Sequence, residues 1–148
     1  MSTYTQILYQ IVFSTKHRAL SLSSDNREEL FKYISGILKN KNCHLYQIGG
    51  VADHIHIITH LHPSVALAAL VKDIKLASTD YIKANKLFPS FAGWQEGYGA
   101  FTYSIHEKDR LITYVQNQED HHQKLTFIEE YKDILQQLHI VFDEKHLL

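Results

Sequence analysis

Residues 51–61 read VADHIHIITHL, a run of apolar and β-branched residues that is interrupted by histidines. This composition predicts a β-strand over the run. Side chains on a strand alternate between its two faces, so His54 and His56 should point the same way and Ile55 should face the core. Two imidazoles about 7 Å apart along the backbone can converge on one divalent metal ion. The chain has 11 histidines, so two partly exposed polar residues are the simpler interpretation of this pair.

The segments on either side of this strand complete an α+β pattern. Ser24 or Asp25 can cap the first helix, with Glu28 at the capping-box position, and Gly49-Gly50 marks a turn or bulge. The order β-α-β-β-α-β, followed by further helices, predicts a ferredoxin-like antiparallel sheet with helices on one face. The other predicted strands are 5–15, 44–48 and 100–105, and the predicted helices are 24–41, 65–85, 107–124 and 128–138.

Length and composition predict one globular domain over residues 1–148. Apolar residues make up 45% of the chain and charged residues 21%, which excludes a disordered polypeptide. The single cysteine, Cys43, excludes an internal disulfide and a cysteine-rich zinc site. We find no secretory signal and no apolar run long enough to span a bilayer, so we expect a cytoplasmic protein without membrane contact.

Charge is distributed unevenly along the chain, although the net charge is only −1. Residues 1–110 hold 12 Lys and Arg against 9 Asp and Glu, whereas residues 111–148 hold 3 against 7. A net charge this small does not by itself indicate a nucleic-acid-binding protein. A phosphate-binding surface is therefore expected within the first three-quarters of the chain.

A tyrosine and a glutamine on the third predicted helix could supply the rest of a metal-dependent site. Tyr114 and Gln118 are four residues apart, so they should be neighbours on one helical face. A half-buried tyrosine beside a solvated glutamine is the ordinary interpretation. The alternative is a site in which a cation held by neutral ligands polarises a phosphodiester and the phenol attacks phosphorus.

The chain also carries a family resemblance in segments spread along its length. They are Asp53-His54-Ile55-His56, residues 70–75 (LVKDIK) with Ser78, residues 94–101 (WQEGYGAF), residues 114–118 (YVQNQ) with His121-His122, and residues 127–131 (FIEEY). In this order they resemble the single-tyrosine HUH transposases of the insertion-sequence 200/605 class, the IS200-like transposases. The weak basicity of the chain is the one feature not expected of such an enzyme.

The resemblance implies a mechanism and a set of site residues. Tyr114 would be the nucleophile, and His54, His56 and Gln118 would bind Mg²⁺ or Mn²⁺. Such enzymes cut and rejoin single-stranded DNA at insertion-sequence ends through a 5′-phosphotyrosine intermediate. They recognise hairpins near those ends and act as homodimers, in which the tyrosine helix of one subunit can complete the histidine pair of the other.

DNA contacts are expected from basic and aromatic residues of the first three-quarters of the chain. Lysine and arginine side chains bind the phosphate backbone, and aromatic rings stack on unpaired bases. Each of these side chains could equally belong to a solvated or packed face. The candidate phosphate contacts are Lys16, Arg18, Lys72 and Lys75, and the candidate stacking rings are Tyr98, Phe101 and Tyr103.

Two further polar residues lie close to the candidate site in sequence. Asp53 could orient a ligand histidine, but strand alternation predicts its side chain on the face opposite His54, and a role in the turn is as plausible. His122 follows Gln118 closely and could donate a hydrogen bond within the site, but we expect it at the surface of a helix end.

Three other classes of function remain open from the sequence. A non-catalytic single-strand or hairpin binder derived from a transposase would bind DNA without cleaving it. A metal-dependent hydrolase using only the histidine pair would stay active without Tyr114. A ferredoxin-like interaction module would show no metal dependence at all.

Overall fold

The computed structural model describes residues 2–147, and its centre is a single antiparallel sheet. The strand order is β2-β3-β1-β4, which places the two most buried strands in the middle. This order and the connections between the strands confirm the predicted ferredoxin-like α+β fold. The strands are β1 (Leu8–Ser14), β2 (Leu45–Val51), β3 (His54–His60) and β4 (Gly99–Tyr103).

Helices cover both faces of the sheet. On one face, α1 and α2 pack on β3 residues Ile55 and Ile57 and form the main apolar core. The C-terminal helices cover the other face, where Val12 packs with Phe127 and Tyr131. No helix within residues 2–147 combines the length and apolarity needed to cross a membrane. The helices are α1 (Ser24–Asn40), α2 (Leu67–Asn85), α3 (Lys108–Gln116), α4 (Gln118–His121) and α5 (Phe127–Gln137).

The predicted single helix over residues 107–124 is wrong, because the structure divides it into α3 and α4. Asn117 separates the two, with φ −98° and ψ 20°, which are outside the helical region. Asparagine favours such breaks because its side chain competes for backbone hydrogen bonds. The break changes the direction of the chain, and with it the direction in which the side chain of Gln118 points.

The predicted cap of α1 is also wrong. The N-cap is Ser23, without a side-chain cap bond, rather than Ser24 or Asp25. A capping box is found instead at α5, where the Thr126 side chain accepts from the backbone N–H of Glu129 and the Glu129 carboxylate accepts from the N–H of Thr126. Reciprocal bonding of this kind fixes the start of α5.

Two glycines lie in one cross-strand row with a histidine of β3. The row runs Gly49, His56, Val12 and Gly99 across the four strands. A Cβ atom on Gly49 would lie 2.6 Å from the Val115 carbonyl oxygen of α3, and one on Gly99 would lie 2.6 Å from the hydroxyl of Tyr131 in α5. Because neither glycine has a side chain, α3 and α5 can pack directly on the sheet backbone at the two ends of the row. Gly49 lies within β2 and not in a predicted turn or bulge; the register irregularity of β2 lies nearer its start.

Gly49→Ala should lower the free energy of unfolding by about 1–3 kcal/mol, because the added methyl group meets helix backbone that cannot move independently. Urea denaturation measures the change. Gly36→Ala is the matched control: it lies on α1 with no atom within 4 Å of its Cβ position, and should stabilise the protein by about 0.5–1 kcal/mol. A Gly49→Ala protein as stable as the wild type would contradict close packing of α3 on β2.

Candidate active site

The histidine pair lies on the sheet face that α3 to α5 cover. His54 and His56 are both 0% exposed, and their ring centroids are 5.1 Å apart. Ile55 points to the opposite face and belongs to the main core, as the alternation predicts. The simpler expectation of partly exposed histidines is wrong, since helices bury this whole row of the sheet.

The two residues expected from the tyrosine helix reach the histidine pair from α3 and α4. Gln118 is 1% exposed, and its Oε1 lies 3.0 Å from the Nε2 of His54. The ring of Tyr114 meets that of His56 edge to face at 5.8 Å between centroids. One chain therefore brings together all four residues that the resemblance identifies as catalytic or metal-binding.

A carboxylate from α5 occupies the centre of this cluster, and sequence reasoning did not select it. Oε1 of Glu130 lies 3.0 Å from the Nε2 of His56, 3.1 Å from that of His122 and 3.3 Å from that of His54. Its Oε2 accepts hydrogen bonds from the Tyr114 hydroxyl and, at 2.8 Å, from the Gln118 amide. Glu130 is only 3% exposed.

A sequence signal for Glu130 does exist. Phe127, Glu130, Tyr131 and Ile134 follow the spacing of one helical face, and the three others are core residues. A carboxylate in the apolar stripe of a helix is rarely buried without a partner. That signal predicts a buried polar contact without identifying what is contacted.

The outer nitrogen of each imidazole faces an oxygen that can only accept. His54 Nδ1 lies 2.7 Å from an Asp53 carboxylate oxygen, and His122 Nδ1 lies 2.9 Å from the carbonyl of Leu125. His56 Nδ1 lies 2.8 Å from Oε1 of Gln10. The Nδ1 atoms must therefore carry the protons, and the neutral rings present their Nε2 lone pairs inward.

These contacts correct two expectations. Asp53 reaches His54 because it lies in the turn between β2 and β3, where strand alternation does not apply. His122 does not lie free at a helix end: α4 ends just before it, and the ring meets that of His54 edge to face, with 4.5 Å between the ring centroids. Both residues hold the histidine cluster in place.

The inward groups form a set of donors that suits a divalent cation. One ligand atom each from His54, His122 and Glu130 lies within 4.8 Å of the others. Lone pairs of Nε2 atoms and of carboxylate and amide oxygens repel at about 3 Å unless a proton or a cation lies between them. That separation is also the distance between adjacent ligands of a metal whose bonds are about 2.1 Å long. The residues present therefore fit a metal ion.

An unsatisfied hydroxyl lies beside the same row. Ser14 pairs with His54 across the sheet, so its side chain points to the same face. Its Oγ is buried and is the one such side-chain atom within residues 2–147 that has no hydrogen-bond partner. A buried hydroxyl of this kind is normally satisfied by water or by a bound group.

The electrostatics of the cluster keep Tyr114 neutral when no cation is bound. Burial raises the pKa of the Tyr114 phenol, and the adjacent Glu130 carboxylate raises it further, beyond the ordinary range. Burial raises the pKa of Glu130, but hydrogen bonds from His122, His54 and His56 outweigh it when those rings are protonated and hold the pKa of Glu130 far below its usual value. Ionisation of the phenol therefore requires a compensating positive charge.

The candidate DNA contacts lie elsewhere on the surface. Lys16 and Arg18 are exposed on a short 3₁₀ turn after β1, and Lys72 is exposed on α2. Lys72 lines a groove of about 560 Å³ that also contains Tyr98. Lys75 instead donates to the carbonyls of Gln95 at 2.8 Å and Gly97 at 2.6 Å, and burial lowers its pKa.

The other two aromatic candidates are packed against the sheet. Phe101 is buried beside Tyr131, and the Tyr103 hydroxyl accepts a hydrogen bond from the Gln10 amide at 3.0 Å. This bond holds the Gln10 side chain in place, with its carbonyl oxygen 2.8 Å from His56 Nδ1. Tyr103 thus supports the site indirectly, by holding Gln10, which in turn contacts His56.

Known proteins resemble this chain both in sequence and in fold. The family model described as "Transposase IS200 like" matches residues 3–118. A candidate transposase from Deinococcus radiodurans R1 is 22% identical with a TM-score of 0.62, and the match covers 80% of this chain and 95% of that one. A REP-associated tyrosine transposase bound to a REP hairpin is 14% identical with a TM-score of 0.58, covering 84% and 76%. No curated protein sequence matches.

Asp53→Asn should weaken binding of a divalent metal by about tenfold, because an amide cannot hold His54 Nδ1–H as a carboxylate does. Calorimetric titration with Mn²⁺ measures the affinity. Asp80→Asn, an exposed change on α2, is the control and should bind as the wild type does. Equal affinities for the Asp53 variant and the wild type would show that this carboxylate does not support the site.

Proposed function

The chain belongs to the family of IS200-like transposases, and on that premise we propose that it cuts and rejoins single-stranded DNA at insertion-sequence ends through a 5′-phosphotyrosine intermediate. The observation that carries the proposal is the convergence of Tyr114, His54, His56 and Gln118 in one buried site. A nucleophile beside a set of metal-binding donors is what phosphoryl transfer to a side chain requires.

Tyr114 is the proposed nucleophile. Its phenol oxygen forms a bond to phosphorus while the bond from phosphorus to the 3′ oxygen breaks, leaving a 3′-OH strand end. Glu130 Oε2 already accepts a hydrogen bond from the phenol and can take its proton, while the departing 3′ oxygen gains a proton from solvent to become the 3′-OH. The phosphotyrosine keeps a phosphodiester linkage, and a 3′-OH can therefore reverse the step without a nucleotide cofactor.

His54, His56 and Gln118 are the proposed ligands of Mg²⁺ or Mn²⁺. When bound, the ion polarises the scissile phosphate and stabilises charge on it. The residues hold their donors in position through Asp53 and Gln10, which fix the two ring orientations.

Access to the site requires a movement of α5. Phe127 stacks on His54 with 4.2 Å between ring centroids, and α5 covers this face of the sheet. A cavity of about 670 Å³ opens beside the cluster and is lined by Asp53, His122 and Arg27. A DNA strand that approaches through this cavity reaches the histidines once Phe127 has turned away.

The proposed partners are single-stranded DNA with hairpins and a second copy of the chain. The REP-associated relative was solved with a hairpin bound, which supports hairpin recognition here. Lys16, Arg18 and Lys72 are the proposed phosphate contacts, and Lys75 positions the segment around Gln95. We propose a homodimer in which the active sites can be shared between subunits.

A non-catalytic hairpin-binding protein is the alternative. The presence of all four candidate catalytic residues in contact with one another favours the enzyme. A hydrolase that uses the histidines alone is distinguished by its independence of Tyr114.

Tyr114→Phe should abolish the covalent protein–DNA adduct while leaving DNA binding intact, because only the nucleophilic oxygen is removed. The assay incubates the protein with a randomised pool of hairpin-bearing oligonucleotides and Mg²⁺ or Mn²⁺, followed by denaturing electrophoresis. Tyr81→Phe, a tyrosine stacked on Tyr33 in the other layer, should form the adduct normally. Cleavage that survives in Tyr114→Phe would indicate a hydrolase, and binding without any adduct would indicate the non-catalytic protein.

Lys72→Ala should weaken DNA binding and reduce the slope of log affinity against log salt by about one. Removing one phosphate-binding charge from the groove would produce both effects, because one fewer counterion is released on binding. Lys39→Ala, an exposed lysine on α1, is the control. Unchanged slopes at several salt concentrations would place Lys72 outside the DNA-binding surface.

A further inference from the structure

We propose that His122 and Glu130 are ligands of the metal ion itself, and that the resulting site selects a first-row transition-metal ion such as Mn²⁺ over Mg²⁺. The inference rests on the proposed function only in taking this ion to be the one used in strand transfer. Both residues lie beyond residues 3–118, the part of the chain that the family model describes.

The geometry centres on one carboxylate oxygen. Three imidazole Nε2 atoms, from His54, His56 and His122, lie within 3.3 Å of Glu130 Oε1. Gln118 is placed differently: its Oε1 lies near His54, while its amide nitrogen donates to Glu130 Oε2. Glu130 therefore has the more central position among the donors, and Gln118 lies at the edge of the cluster.

The protonation of the rings supports direct ligation by His122. Its Nδ1 faces the carbonyl of Leu125, so its neutral form has the Nε2 lone pair directed at the cluster. Three such lone pairs around a carboxylate oxygen are electrostatically unfavourable, and replacing them by three imidazolium ions would bury a large excess of positive charge. A divalent cation between His54, His122 and Glu130, whose ligand atoms lie within 4.8 Å of one another, relieves this repulsion, and His56 is the adjacent imidazole, 3.0 Å from the same carboxylate oxygen.

The donor set determines which cation is favoured. Three imidazoles and a carboxylate form a nitrogen-rich site largely enclosed by protein. Mg²⁺ prefers oxygen ligands and retains several waters, whereas imidazole suits transition metals. Mn²⁺ has the lowest affinity in the first-row series, so a site that prefers Mn²⁺ to Mg²⁺ also prefers the later ions of that series.

The test measures binding of Mn²⁺ alone to the full-length protein, by loss of the electron paramagnetic resonance signal of free Mn²⁺. Glu130→Gln and His122→Gln should each weaken binding by at least about tenfold. Glu129→Gln, the preceding residue on α5, and His106→Gln, an exposed histidine, are the matched controls and should bind normally. Excess Mg²⁺ should leave most of the Mn²⁺ bound to the wild type.

A second measurement needs no variant to fold. Pulsed electron paramagnetic resonance of the wild-type Mn²⁺ complex counts coupled imidazole nitrogens, and the proposal requires three. Two coupled imidazoles, wild-type affinity in both variants, or ready displacement by Mg²⁺ would each overturn it.

Failure of this inference is distinguishable from failure of the proposed function. A metal-dependent adduct in a protein whose Glu130 and His122 variants bind Mn²⁺ normally would retain the transposase and reject the extra ligands. Selective Mn²⁺ binding through both residues, without any adduct, would retain the ligands and reject strand transfer.

Discussion

Burial of a polar cluster between the sheet and the C-terminal helices is the constraint on which the rest of the structure depends. Three imidazoles, a carboxylate and an amide lie almost out of reach of water, and the phenol of Tyr114 beside them is half-buried. Removing such groups from water is costly unless each has a partner. The partners come from β1, the β2–β3 turn, α4 and α5, so these elements must hold their relative positions for the cluster to be satisfied.

The sheet provides the room for this cluster. Gly49 and Gly99 lie at the two ends of the row that contains His56, and α3 and α5 approach the backbone there directly. The helices are thereby close enough to deliver Tyr114 and Glu130 onto the same histidine. Larger residues at either end would lift a helix away and lengthen contacts that are now at hydrogen-bond distance.

Local periodicity accounts for what the sequence predicts correctly. The order of helices and strands and the shared face of His54 and His56 follow from local composition and strand alternation, which depend only on near neighbours. Glu130, Gln10 and the roles of Asp53 and His122 could not be predicted in this way. Asp53 and His122 lie at a turn and at a helix end, and Gln10 and Glu130 reach a histidine that is distant in sequence, so packing across the molecule decides all of these contacts.

The cluster draws its members from Gln10 near the start of the chain to Glu130 near its end. During synthesis the sheet can form as soon as β4 has emerged, since domains generally fold as their segments become available. The complete cluster waits until α5, which follows β4 in the chain, has also emerged. A chain whose synthesis has not yet reached α5 thus has the histidine pair and the tyrosine but lacks the central carboxylate, which ties assembly of the site to synthesis of α5.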